Sequence, residues 1–253
     1  MTRRRWIADE VTGNTAALVG EHAAHLARVL RAEVGQEFDI ATGEDVRRGT
    51  ITTISYDRIE FALGAKQQLT LRSAAPKITL ALAIFKFDRM EWAIEKCAEI
   101  GVARIIPVIA RRTDAHLASA AVKRRERWQR IVRQAAEQSR RSAPPEIAAP
   151  VKLKDLDSDR GLAADALRVV LAESLAGPEG DTRLGEILHS HSSVVEAGDE
   201  VTLAVGPEGG WADGELSWFY EEGWVAASLG DTILRAETAA IVATALAIET
   251  LRL

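Results

Sequence analysis

Val201-Thr202-Leu203-Ala204-Val205-Gly206-Pro207-Glu208-Gly209-Gly210-Trp211 is the stretch that decides the fold. An apolar run rich in β-branched residues reads as a buried strand, and it stops abruptly in a turn. Pro207 restricts φ to about −65°, while Gly209 and Gly210 permit positive φ or a close backbone approach. A turn leaving the carboxyl end of a parallel strand is where open α/β sheets bind ligands. Asp213 then suits the cap of a helix beginning near Gly214. The tetrapeptide alone is weak, because Gly177-Pro178-Glu179-Gly180 repeats its four letters. That copy stands five residues beyond a strand-like run at 168–172, no amphipathic helix follows it directly, and it reads as a surface loop.

A second strand-like run, 225–229, also ends in a glycine turn, Leu229-Gly230-Asp231-Thr232-Ile233-Leu234, and Arg235-Ala236-Glu237-Thr238 then opens a strongly apolar helix. Glu237 and Thr238 suit its first turn by capping and by the helix dipole. Arg235 has no structural duty there beyond an ion pair with Glu237 or another carboxylate.

Outward from this region the same rhythm holds. Ile78–Ile84, Ala103–Ile109 and Arg168–Ala172 are apolar strands. Asp88–Ile100 reads as a helix with Asp88 and Glu91 supplying capping chemistry and Gly101 at its end. A basic helix spans roughly Ala118–Arg140. Continuous apolar strands alternating with helices imply an α/β fold with a parallel sheet covered on both faces. The first 72 residues differ. A short helix over Glu21–Arg31 is followed by three strand-like runs, Phe38–Thr42, Gly49–Ser55 and Arg58–Leu63, split by hairpin turns. The expected organisation is therefore a small antiparallel β unit, 1–72, and an α/β unit, 73–253.

Composition narrows the function. No apolar run approaches the roughly 20 residues of a membrane span, and no apolar stretch of roughly 7–15 residues follows the basic start, so no secretory signal is expected. Cys97 is the single cysteine, which excludes an intrachain disulfide and suits a reducing cytoplasm. His189 and His191 lack a ligand context for zinc, and no metal is expected. Phosphate-loop, dinucleotide-fingerprint and hydrolase-elbow motifs are missing. The net charge of −5 hides an asymmetry: residues 104–141 hold 11 basic and 3 acidic side chains, a local +8. Such a patch can attract phosphate although the whole chain is acidic; a solvated helix face is the bland alternative.

Five stretches, in order along nearly the whole chain, resemble the RsmE family, SPOUT methyltransferases that modify N3 of a uridine in 16S ribosomal RNA. They are His25–Arg31 with Val34-Gly35-Gln36; Lys86 with Glu91 through Glu95-Lys96-Cys97-Ala98-Glu99-Ile100-Gly101-Val102; Trp128 through Ala135-Ala136-Glu137-Gln138-Ser139-Arg140; Gly206–Gly210; and Leu229-Gly230 with Ile233-Leu234-Arg235-Ala236-Glu237-Thr238-Ala239. Cys97-Ala98 and Trp211 depart from the pattern, and neither is expected to touch the chemistry.

The resemblance implies a PUA-like β-barrel RNA-binding domain, a SPOUT domain with a C-terminal trefoil knot, and a homodimer. It also implies S-adenosyl-L-methionine as cofactor, held by Leu171, Glu173, Gly206, Pro207, Glu208, Gly209, Gly210, Ser228, Leu229, Gly230, Ile233 and Leu234. Arg235 would stabilise charge on the uracil oxygens, and Glu237 is a possible base with helix capping as its equal alternative. Within that reading Arg3, Arg4, Arg5, Arg28, Arg31, Arg124, Arg125, Arg127, Arg130 and Arg133 become candidate contacts to 16S ribosomal RNA or the small subunit. Two alternatives remain: a SPOUT enzyme acting on transfer RNA, and a non-catalytic RNA-binding assembly factor. Methyl transfer to small-subunit RNA separates the three.

Overall fold

A computed structural model describes residues 4–43, 45–66, 76–156, 166–172, 182–192 and 199–251. The chain divides into two compact units, Met1–Leu71 with Arg133–Pro144, and Arg72–Val132 with Pro145–Leu253.

The first unit is a curled, barrel-like sheet of β1 (Trp6–Ile7), β2 (Glu10–Thr12), β3 (Thr15–Val19), β4 (Glu37–Ala41), β5 (Val46–Ile54) and β6 (Arg58–Lys66), in the order β1-β4-β5-β6-β3-β2. All pairs are antiparallel except β1 with β4. The sequence pattern marks β4, β5 and β6 and misses the short β1, β2 and β3, which carry little alternation of their own. The inward residues Trp6, Leu18, Leu26, Ile40, Ile51, Ile59 and Phe61 form its core. Gly49 permits the tight curl: a Cβ there would lie 2.5 Å from Ile40. The expected single helix at 21–31 is instead α1 (Glu21–Ala24) followed by a π-helical turn, His25–Val29. Glu137 is fully buried in this unit, where it meets Arg4, Arg133 and the backbone N–H of Ile7.

The second unit is α/β. Its sheet runs β10 (Val151–Lys152), β8 (Arg104–Ile109), β7 (Lys77–Ala83), β12 (Glu200–Val205), β11 (Leu167–Leu171), β13 (Val225–Ala227), with β9 (Glu146–Ile147) also on β8. Every pair is parallel. Ala81, Ala83, Ile106, Val108, Val170 and Ala204 share a core with Trp211, Phe219 and Trp224. These three rings stack edge-on, Phe219 lying 4.9 Å from Trp211 and 5.0 Å from Trp224, a geometry favoured by the ring quadrupoles. α6 (Ala236–Thr250) packs on β7 and β12, with α2 (Phe87–Ile100) and α4 (Leu184–His191) beside it. α3 (Ala115–Gln138) meets α2 through the Trp128–Phe87 ring contact.

Three capping expectations are corrected. α2 starts after Lys86 with no side-chain cap, and Glu91 instead receives Arg124 and Arg127. Asp213 is the first residue of α5 (Asp213–Glu221) rather than its cap; Glu215 reaches back to the Ala212 N–H at 2.8 Å. Arg235 occupies the N-cap of α6, which has no side-chain cap, so Glu237 is free of that duty. Gly101 does close α2, at φ +132°, and the Ile248 side chain packs against it. No helix among the described residues is long and apolar enough to cross a membrane.

Candidate active site

Parallel register brings three strand ends level. Leu171 of β11 lies opposite both Val205 of β12 and Ala227 of β13. Beyond them the chain leaves through Ala172, the turn 206–210 and the segment 228–235. These surround a pocket of about 240 Å³. Its walls bring together Leu171, all five residues Gly206–Gly210, Ser228, Leu229, Gly230, Ile233 and Leu234. Glu173 lies outside the described residues. Arg112, Trp211 and Asp231 also line it; Trp211 and Asp231 belong to the two glycine segments read from the sequence, whereas no motif points to Arg112.

The first turn is braced from several directions. Gly210 sits at φ +69°, and its N–H donates to the Pro207 carbonyl at 2.8 Å. The Arg112 guanidinium donates to the Gly209 carbonyl and, at 3.2 Å, to that of Trp211. Trp211 is buried and donates its indole N–H to the Leu171 carbonyl at 3.1 Å, tying the turn to the neighbouring strand end. A Cβ on Gly206 would come within 3.2 Å of that indole, a tight approach that glycine accommodates without displacing the buried ring. The departure at Trp211 is thus part of the pocket, which corrects the expectation that it stands apart from the site. Glu215 accepts from the Arg111 N–H at 2.7 Å as well as from Ala212, pinning the start of α5 to the end of β8. Arg89 completes the frame through Glu208 at 2.6 Å.

The second segment is held differently. Ser228 exchanges backbone hydrogen bonds with Thr182 and Leu184 at 3.0 and 2.9 Å, and Gly230 takes φ +123°. Beyond it Asp231 is 90% exposed and meets only an exposed Arg183, while Ile233 is 81% exposed. Arg235 is exposed and has no hydrogen-bond or ion-pair partner among the described residues. Its expected alternative partner, Glu237, turns instead toward Arg89 at 3.9 Å. The Glu237 side chain is 7% exposed, and its Oε2 has no hydrogen-bond partner among the described residues. Both residues flank pocket-lining positions, Leu234 and Ala236.

Cys97 is buried beneath α6, where burial pushes its thiol up to about 12 against a weaker lowering by the Thr244 hydroxyl. It is a packing residue and no nucleophile.

The candidate RNA-contact arginines divide into two groups. Arg124 and Arg127 converge on Glu91, Arg125 donates to the Ile147 carbonyl, Arg133 pairs with Asp9, and Arg4 with Glu137. Arg5 donates to the Arg140 carbonyl. Arg28 and Arg31 are exposed and have no ion pair or hydrogen bond among the described residues. Arg130 is exposed and engaged within the chain; Arg3 lies outside the described residues. A run of positive charge in sequence is therefore, in space, largely a set of internal pairs.

A family model described as an RNA methyltransferase domain matches residues 72–248. The chain is 32% identical to "Ribosomal RNA small subunit methyltransferase E" of a Synechocystis species, over 94% of this chain and 74% of that protein. It is 30% identical to the Bacillus subtilis protein of the same name, over 90% and 88%. Among solved structures, that enzyme from Neisseria gonorrhoeae bound to S-adenosyl methionine superimposes with a TM-score of 0.80 at 28% identity, covering 96% of this chain and 95% of that one. A Legionella pneumophila methyltransferase in complex with the same cofactor gives 0.76 at 29% identity, covering 96% and 94%.

Proposed function

The chain belongs to the RNA methyltransferase family that includes the ribosomal RNA small subunit methyltransferases E, and from that premise we propose that it uses S-adenosylmethionine to methylate N3 of a uridine in 16S ribosomal RNA, in the cytoplasm. The observation that carries this reading is the meeting of three level strand ends at one pocket, with an unpaired arginine beside it.

The residues present suit the cofactor. Glycine turns let main-chain N–H and C=O groups reach an adenine edge, and Leu171, Val205 and Leu234 supply apolar walls. Arg112 with Glu208 or Asp231 gives both signs of charge for a zwitterionic amino-acid end. When bound, S-adenosylmethionine supplies an electrophilic methyl group on a sulfonium sulfur. The work of this chain is then to place uracil N3 in line with it and to manage one proton and one developing charge. Arg235 projects a permanently charged, five-donor guanidinium from the end of the second segment. It is assigned the role of stabilising negative charge on the uracil oxygens as the N3 proton leaves. Glu237, with one oxygen toward Arg89 and the other without a partner, is the candidate acceptor of that proton. The β-barrel unit is assigned to RNA binding. The exposed side of α6, with Ala245 and Leu246, is assigned to a homodimer; light scattering showing only the 27.5 kDa monomer at micromolar concentration would refute that part.

The deciding experiment is methyl transfer from S-adenosylmethionine to 16S ribosomal RNA and to isolated small subunits, followed by mass mapping of nucleosides. The expected product is 3-methyluridine at one position. Methylation confined to transfer RNA, or none on any RNA despite cofactor binding, would select one of the two alternatives instead.

A further inference from the structure

The β-barrel unit displays an aromatic ring that the fold does not use. Tyr56, in the turn between β5 and β6, is 80% exposed, and the Arg28 guanidinium carbon lies 4.6 Å from its ring centroid. Arg28 sits in the π-helical turn His25–Val29, a distortion that concentrates at functional sites. Val29 and Leu30, next in the chain, are 64% and 51% exposed. Arg31 then adopts φ +51°, a left-handed conformation that is uncommon for a residue other than glycine. This short segment thus combines an irregular backbone with an exposed apolar and cationic surface: Leu26 anchors it in the core, while Arg28, Val29, Leu30 and Arg31 all face solvent.

The contrast with the other arginines is informative. Arg4, Arg124, Arg127 and Arg133 have their charge met by buried or half-buried carboxylates. Arg28 is laid against a π face, and neither it nor Arg31 has an ion pair or hydrogen bond among the described residues. Its N–H donors therefore remain available, while the contact with Tyr56 limits its rotamers. A cation over an aromatic ring at an exposed site is a weak contact, too weak to explain leaving the ring in water.

We propose that Tyr56 and Arg28 form a stacking platform for one unpaired base of the RNA substrate, with Arg31 meeting an adjacent phosphate. The inference rests on the RNA reading above and specifies how the β-barrel unit engages it. A base stacks on the open face of the tyrosine ring or on the outer face of the guanidinium plane, both of which accept any base. The guanidinium edge donates to the sugar–phosphate backbone. Single strands are selected over duplex, because only an unpaired base exposes its face.

The test is equilibrium binding of a single-stranded oligouridylate and of an RNA duplex of equal length to the full chain, across a salt series, with calorimetric S-adenosylmethionine binding and melting temperature as controls. Tyr56→Ala should weaken single-strand binding by roughly 5- to 100-fold, the range for losing one base stack, without changing the salt slope. Tyr56→Phe should bind like the parent, since the ring and not the hydroxyl is used. Arg28→Gln should flatten the log–log salt slope by about 0.7, the release expected per phosphate on a single strand. Cofactor affinity and melting temperature should hold in all three. Parent-like binding by Tyr56→Ala, or equal loss on single strand and duplex, would overturn the platform while leaving the methyltransferase reading intact. A parent that binds cofactor but no RNA would overturn both.

Discussion

The two turns that wall the pocket are built on opposite plans. Turn 206–210 is gripped by Arg112, by the Trp211 indole bound to Leu171, and by Arg89 through Glu208. Segment 228–235 is anchored at Ser228, but its far half, Asp231 to Arg235, is exposed except for a half-buried Leu234 and has one surface ion pair. The braced turn can receive a cofactor with little reorganisation. The open one keeps its cation and its apolar Ile233 in water, where a ligand or substrate has something to gain by covering them. A preformed half lowers the ordering cost of binding, and an open half holds groups whose interactions arise only with substrate present.

The sharpest way to break this comparison is Arg235→Ala. Because Arg235 has no intramolecular partner among the described residues, melting temperature should stay close to the parent, as for other exposed positions. Turnover in a single-turnover assay should fall about 10²–10³-fold, the usual cost of one lost oxyanion donor. Arg235→Lys should recover only part, since a point charge cannot reproduce the planar fork. A stable variant with near-normal turnover would remove the catalytic assignment. Loss of stability in step with turnover would make Arg235 a brace like Arg112.

Next in size is the glycine series in the braced turn. Gly206→Ala drives a methyl group against the buried Trp211 indole and should cost about 1–3 kcal/mol of stability, with a larger proportional loss of cofactor affinity. Gly209→Ala meets only the flexible Arg112 side chain at 3.4 Å and has no positive φ to lose, so its melting temperature should barely move. Equal melting temperatures for the two variants would show that the Trp211 contact does not constrain the turn.

Arg112→Ala frees two carbonyls at an exposed site. It should weaken S-adenosylmethionine by about tenfold in calorimetry, the scale of losing charge-assisted hydrogen bonds. Unchanged affinity would show that the turn holds its shape without the clamp. Smallest of all in the apo protein is Ile233→Ser, which should leave stability within about 0.5 kcal/mol because the side chain is already in water. Its effect should appear only as weaker cofactor binding. Hydrogen exchange provides the matching picture: amides of 231–234 should exchange fast without ligand and slow on adding S-adenosylmethionine, whereas the Gly210 amide should be protected throughout.

Much of the α/β unit was legible because its signals are local. Continuous apolar runs such as Val201–Val205, with glycine at their ends, announce buried parallel strands wherever they occur. The β1–β3 strands were not legible: β1 and β2 have two and three residues, β3 has five without alternation, and all three take their definition from partners such as β4 and β6. Glu91 shows the same limit from another side. Its position suggested a helix cap, yet its carboxylate belongs to Arg124 and Arg127, more than thirty residues away.

By itself the sequence determined the alternation of the main strands and helices in the α/β unit, the two glycine turns that follow β12 and β13, and the isolation of Arg235 between a turn and an apolar helix. Period, φ restriction and glycine permissiveness act within a few residues, so they survive in one dimension. Only the tertiary structure decided that Leu171, Val205 and Ala227 end level, that Arg89, Arg112 and Trp211 brace one turn and leave the other open, and that most of the arginines have carboxylates or carbonyls to satisfy within the chain. Those outcomes are settled by hydrogen bonds and ion pairs between residues 22 to 133 positions apart. Whether a charge is consumed by its own fold or left for a ligand depends on what folding brings beside it.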